Sequence, residues 1–330
     1  MKIIKYVAFF LLAVVIGISG LLIYLTYGLP DIAAAEDIQI EYSPERVERG
    51  RYLANSVSVC MDCHSTRDWS RFSGPITPGT FGQGGDRFDQ SVGFPGVFFA
   101  KNITPFGISR YTDGELYRVI TTGVTKEGRS MFPLMPYTYF GRMDPEDIHS
   151  IIAYLRSIPS ISNNVDESRA DFPVNLLLNT MPQPASPQKR PDKSDVLAYG
   201  AYIINASGCA ECHTQVDEKG MIIKERQFSG GREFMFPDKS VVRSSNLTSD
   251  AETGIGQWTE DMFIQKFKVY ADSSYVAPKV GQGEFNSVMP WTMYGHMETD
   301  DLKAIYSYLK TVAPIPNKVV KFTPGAGAQP

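Results

Sequence analysis

The chain has 330 residues, 43% hydrophobic and 21% charged, which suits about two globular domains and excludes wholesale disorder or a polytopic membrane protein. Lys and Arg total 32 against 36 Asp and Glu, a formal charge of −4, so the basic excess of a nucleic-acid binder is missing. Four cysteines and four histidines are few for this length, and their positions matter more than their number.

Lys2 and Lys5 precede an uncharged run from Tyr6 to Tyr27. That run is close to the ~20 residues that cross a bilayer as a helix. Tyr24 and Tyr27 suit an interfacial aromatic belt, and the lysines place the N-terminus on the cytoplasmic side, with the rest of the chain exported to the periplasm. The competing reading is a cleaved signal peptide ending at Ala33-Ala34-Ala35. The apolar run exceeds a usual signal core, and Leu29-Pro30-Asp31 separates it from the alanines. Residues 1–28 are therefore expected to be a single-pass anchor in the cytoplasmic membrane.

The next expected helix starts at Ser43-Pro44 and runs through Val47, Gly50 and Ala54 into the first cysteine pair. All four cysteines fall in two identical patterns, Cys60-Met61-Asp62-Cys63-His64 and Cys209-Ala210-Glu211-Cys212-His213. C-x-x-C-H is the attachment signature of a covalent haem. Two thiols one helical turn apart reach the vinyl groups on one porphyrin edge, and the adjacent histidine supplies the proximal imidazole. Structural disulfides would not require a histidine after each second cysteine. A thioredoxin-like pair calls for a βαβ context that the sequence lacks, and a shared zinc site is disfavoured by the separation of the motifs and by export. Two covalently attached haem c groups are the expected cofactors, held by Cys60, Cys63, Cys209 and Cys212.

The motifs sit in two copies of one unit, roughly 150 residues apart. Gly50-Arg51-Tyr52-Leu53 answers Gly200-Ala201-Tyr202-Ile203, and Asn102-Ile103-Thr104 answers Asn246-Leu247-Thr248. Gly107 to Thr112 answers Gly254 to Thr259, and Met135-Pro136-Tyr137-Thr138 answers Met289-Pro290-Trp291-Thr292. Thr112-Asp113-Gly114-Glu115 is a capping box opening a helix with Leu116, Val119 and Ile120 on one face. Asp144-Pro145 opens another with Ile148, Ile151, Ile152 and Leu155, matched by Leu302, Ile305, Tyr306 and Leu309. Gly50 and Gly200 would let each copy's last helix cross its first closely. Strand patterns are scarce, so the unit is expected to be all-α. The expected boundaries are 44–158 and 194–313 for the two units, with a Pro-rich linker at 159–193 and a disordered tail at 314–330.

With the cysteines committed, each iron's sixth ligand must be Met, His, Lys or nothing. Met135 and Met289 occupy matching places, each before a proline that holds the chain extended. His64 with Met135, and His213 with Met289, are the expected axial pairs. Met131, Met143, Met293 and Met297 are nearby competitors, better suited to core packing. His149 is expected on a solvated helix face, and His296 at the surface, at a propionate or as an alternative ligand.

These residues resemble the membrane-anchored multihaem cytochrome c subunits of bacterial alcohol, aldehyde, gluconate and nicotinate dehydrogenase complexes. The resemblance rests on Gly200-Ala-Tyr-Ile before Cys209, Asn246-Leu-Thr, Glu252-Thr-Gly-Ile-Gly-Gln-Trp258 and the Met-Pro pairs, in both copies. It implies two tandem cytochrome c domains after the transmembrane helix, with the Met-Pro methionines as axial ligands. It also implies electron flow in a respiratory chain, from a dehydrogenase catalytic subunit toward quinone, a soluble cytochrome or a terminal oxidase. Many such subunits carry three haem motifs, whereas two are present here. Two filled His/Met sites suit a carrier without catalytic residues, since activating a substrate needs an open position. The alternatives are dihaem redox enzymes, of the cytochrome c peroxidase or thiosulfate dehydrogenase kind; a gas sensor would likewise need an open iron.

Overall fold

The computed structural model describes residues 2–218 and 220–325. Helix α1 (Lys2–Ile23) runs into a π turn over Tyr24–Gly28, and none of its residues is buried. At 1.5 Å per residue it is about 33 Å long, the thickness of a bilayer core. Among the described residues it is the one helix long and apolar enough to cross a membrane.

The first copy opens with α2 (Pro44–Tyr52), capped by the Ser43 hydroxyl, which accepts from Arg46 N. A π turn over Leu53–Val57 carries it toward α3 (Cys60–Cys63). A hairpin of β1 (Arg87–Phe88) and β2 (Gly96–Phe99) follows, then the short α4 (Pro105–Ile108). Helix α5 (Asp113–Thr122) has the full capping box between Thr112 and Glu115, and it ends at Gly123, whose φ of 76° needs a glycine. After α6 (Tyr137–Phe140) comes α7 (Pro145–Ser157), with Ile148, Ile151, Ile152 and Leu155 all buried. The connecting segment holds β3 (Arg169–Ala170) and α8 (Val174–Leu177).

The second copy repeats this order. It runs through α9 (Val196–Ala206), α10 (Cys209–His213), the hairpin β4 (Glu233–Met235) and β5 (Val241–Arg243), and α11 (Glu260–Lys268). Then follow α12 (Trp291–Tyr294), α13 (Thr299–Leu309) and β6 (Phe322–Thr323). The close crossings expected at the two glycines are present. A Cβ on Gly50 would lie 1.8 Å from Ser150 O on α7, and one on Gly200 would lie 2.1 Å from Ala304 O on α13.

The chain is helix-rich, but it is not all-α. Two three-stranded antiparallel sheets are present, β1-β2-β3 and β4-β5-β6. Their registers pair Arg87 with Phe99, Gly96 with Ala170, Phe234 with Val242, and Val242 with Phe322. Strands this short show no alternation, and β2 reads as an apolar run (Gly-Val-Phe-Phe). Each third strand comes from the segment beyond a copy's last helix. The tail expected to be disordered over 314–330 therefore carries β6, because its backbone completes the ladder that β5 leaves open. Residues 326–330 of that tail lie outside the described residues.

The two copies meet along their first and last helices through a reciprocal exchange. Tyr52 on α2 donates to Asp301 Oδ2 on α13 at 2.7 Å, while Tyr202 on α9 donates to Asp147 Oδ2 on α7 at 2.7 Å. Each hydroxyl also accepts from a backbone amide at the start of the helix it reaches, Glu298 N at 2.9 Å and Asp144 N at 3.2 Å. Asp147 and Asp301 are fully buried, and Arg49 at 2.8 Å and Lys193 at 3.1 Å balance their charge. The buried apolar residues of both copies, from Leu53 and Ile152 to Ile203 and Leu302, form one connected cluster.

Candidate functional site

Each cysteine pair is presented on one short helical turn. Val59 before α3 and Gly208 before α10 take left-handed conformations, φ 42° and 61°, which turn the chain sharply into the motif. His64 N then closes on Cys60 O at 3.1 Å, so the two thiols of the first motif sit one turn apart. All four thiols are unpaired; Cys60 and Cys209 are half-buried, Cys63 and Cys212 exposed. Burial pushes the Cys60 and Cys209 thiols up to about 12, so they are neutral without a bonding partner. Among the described residues no three His, Cys, Asp or Glu side chains converge on a metal-sized site.

The proximal histidines are oriented by backbone. His64 Nδ1 lies 2.6 Å from Lys101 O, and His213 Nδ1 lies 2.8 Å from Ser245 O. A carbonyl only accepts, so Nδ1 carries the proton and Nε2 keeps its lone pair for a metal. Burial lowers both imidazole pKa values, which favours the same neutral tautomer.

Those carbonyls immediately precede the repeated Asn-x-Thr triplets, and this explains the triplets. Asn102 Nδ2 donates to Ile161 O at 2.8 Å, while its Oδ1 accepts from Thr104 N and Oγ1. Asn246 repeats the arrangement with Ile315 O at 2.8 Å and with Thr248. The segment beyond each last helix is thus tied to the loop that holds the histidine.

Two glycines escaped the sequence reading. Gly84 N donates to His64 O and Gly230 N to His213 O, both at 2.8 Å. Their φ values are 72° and 70°, and a Cβ would stand 2.5 Å from Lys101 C or 2.4 Å from Ser245 C. The signal was present in the matching pairs Gly84-Gly85 and Gly230-Gly231, at an offset the other repeat segments do not share.

Met135 and Met289 occupy equivalent turns just before α6 and α12. Tyr137 N donates to Met135 O and Trp291 N to Met289 O, both at 2.8 Å, and both thioethers are partly buried against the core. The competitors Met143 and Met297 are each 1% exposed and belong to the core, with Ser58 Oγ donating toward Met143 Sδ. His149 is half-buried rather than solvated, resting on Tyr117 with Nδ1 3.3 Å from Glu146 Oε1; His296 is exposed.

Tyr294 is buried beside the second motif, its hydroxyl donating to Ser207 O at 2.8 Å. Burial holds this phenol well above its ordinary pKa. The first copy also reaches the second's methionine turn, since Ser73 Oγ donates to Met289 O at 2.5 Å and accepts from Trp291 N at 3.2 Å. The donor set fits covalent haem c: unpaired thiols on one turn, an imidazole with Nε2 available, and a half-buried thioether in each copy.

No family model matches the chain. It is 25% identical over 294 residues to the cytochrome c subunit of a quinone-dependent alcohol dehydrogenase from Gluconacetobacter polyoxogenes, covering 84% of this chain and 58% of that protein. It is 26% identical over 306 residues to a gluconate 2-dehydrogenase cytochrome c subunit from Pantoea cypripedii, covering 87% and 64%. A dihaem c-type cytochrome from Cereibacter sphaeroides is 28% identical over 182 residues, covering 52% and 58%. The chain thus spans little more than half the length of these curated relatives. All three relatives are named as c-type cytochromes. Over most of its length the chain is homologous to the cytochrome c subunits of alcohol and gluconate dehydrogenases.

Proposed function

We propose that the chain is a membrane-tethered dihaem cytochrome c that relays single electrons from a periplasmic dehydrogenase subunit toward quinone, a soluble cytochrome or a terminal oxidase. The two units would span 44–158 and 194–313, with α1 as the anchor. The carrying observation is the pair of C-x-x-C-H turns whose histidines donate Nδ1–H to backbone carbonyls, at 2.6 Å for His64 and 2.8 Å for His213.

Haem, when bound, supplies a one-electron iron centre. Cys60 and Cys63, and Cys209 and Cys212, would hold its edge by thioether bonds. His64 and His213 would present Nε2 to the iron, their rings fixed by Lys101 O and Ser245 O. Met135 and Met289 would fill the distal positions and exclude water and small ligands. Filled positions on both sides suit transfer without ligand rearrangement, and the relatives are cytochrome subunits of dehydrogenases, so the dihaem-enzyme reading is not favoured.

The purified oxidised protein is expected to show the weak far-red band of methionine–iron ligation. Met135→Ala and Met289→Ala should each remove part of it, and the double variant all of it. A resting high-spin spectrum, or peroxide consumption with a reduced donor, would defeat the carrier reading. Copurification from detergent-solubilised membranes identifies the donor.

A further inference from the structure

From Phe172 to Gln188 the segment joining the two copies contains no charged residue, although Asp171 and Lys189 flank it. Its first part, Phe172 to Leu178, is mostly apolar, which is unusual for a linker that meets only water. Phe172 is 78% exposed and Leu177 45% exposed.

This segment is fastened to the end of the apolar helix. Asn179, in the 3-10 turn after α8, donates from Nδ2 to Leu25 O at 3.0 Å, and its Oδ1 accepts from Ser130 Oγ at 2.8 Å. One side chain therefore bridges the anchor and the first copy. Leu25 lies in the π turn beyond α1, between Tyr24 at 57% and Tyr27 at 84% exposure. If α1 spans the bilayer, that turn sits at headgroup depth, about 33 Å from the other end of the helix. Whatever is hydrogen-bonded to Leu25 sits at the same depth.

We infer that Phe172–Met181 is a second membrane contact, lying in the headgroup region with Phe172 and Leu177 inserted at the acyl boundary beside Tyr24 and Tyr27. This rests on the anchor reading above. The chemistry matches an interface: an aromatic and several aliphatic side chains, two amides and no charge to desolvate. Two points of attachment would also fix how the body of the protein faces the membrane, which a single helix and a free linker would not.

The test uses full-length haem-loaded protein in lipid nanodiscs, with photoreactive benzoylphenylalanine at 172, 177, 27 or 276. Val276 is 74% exposed and far from the anchor in sequence, so it reports random encounters. Lipid adducts, counted by mass spectrometry, are expected at 172 and 177 at a level similar to 27 and several-fold above 276. Adducts at 27 with none above background at 172 and 177 overturn the inference and leave the anchor standing. No adducts at 27 overturn the anchor reading and this inference with it. Crosslinks from 172 or 177 to another protein in native membranes, in place of lipid, also overturn it.

Discussion

Ser73 stands in a left-handed conformation, φ 63°, and its hydroxyl bridges Met289 O and Trp291 N from a position 216 residues earlier in the chain. The first copy thus braces the methionine turn of the second. Ser73→Ala removes one donor and one acceptor, worth roughly 1–2 kcal/mol together, or about tenfold in an equilibrium. On the ligation proposed above, imidazole is therefore expected to displace Met289 at about tenfold lower concentration, read from the far-red band, with Met135 unchanged. Equal loosening of both would contradict a local brace. The two C-x-x-C-H turns could be read from the sequence because that pattern fixes residue types at fixed spacing, and Met135 and Met289 stood out by their matching places before a proline. Ser73 was not, since its contact depends on how the copies face each other. Lys101 and Ser245 were silent for another reason: they act through backbone carbonyls, and a carbonyl leaves no mark on residue identity.

Helices announced themselves by caps and by 3.6-residue periodicity, and Gly50 and Gly200 by their matching positions. The atoms they meet are backbone, Ser150 O and Ala304 O, which cannot swing aside as a side chain would. Alanine would gain about 0.5–1 kcal/mol of helix propensity at either site. The overlap outweighs that gain, and separating packed helices costs about 1–3 kcal/mol or more. Gly200→Ala, with its Cβ 2.1 Å from Ala304 O, is expected to melt several degrees lower. The partly exposed Ala201→Gly, made on the same helix, should cost less, which separates crossing geometry from propensity. A melting temperature unchanged or raised in Gly200→Ala would show that α9 and α13 are not in close contact. The sheets were invisible because a strand of two to four residues has no measurable period, and because each third strand lies outside its repeat.

The repeat announced two copies of one unit, with Tyr52 and Tyr202 at matching places, but said nothing of how they dock, because a sequence does not show which aspartate each tyrosine meets. Tyr52 with Asp301 and Tyr202 with Asp147 close the interface from both sides. Burial, then the facing carboxylate, raises the pKa of both phenols well above the usual tyrosine range, and pushes Tyr199, a second donor to Asp301, up to about 12. The sign of the pH effect follows. Unfolded tyrosines ionise near pH 10 and these native ones do not, so above about pH 10 the unfolded state binds fewer protons and stability falls with rising pH. Each such tyrosine contributes a slope of about 1.4 kcal/mol per pH unit until its native pKa is passed. Below pH 10 its contribution is fully present. Tyr52→Phe with Tyr202→Phe should lower stability near pH 8 by roughly 2–4 kcal/mol, as two hydrogen bonds to buried carboxylates are lost. Above pH 10 the doubly substituted protein should lose stability more gently than the parent, by about 2.8 kcal/mol per pH unit, so the two curves converge. Denaturant unfolding followed by far-UV circular dichroism between pH 8 and 11.5 measures both effects. Parallel curves would mean that the phenols titrate normally, and that the two copies are held by the shared apolar core rather than by the exchanged hydrogen bonds.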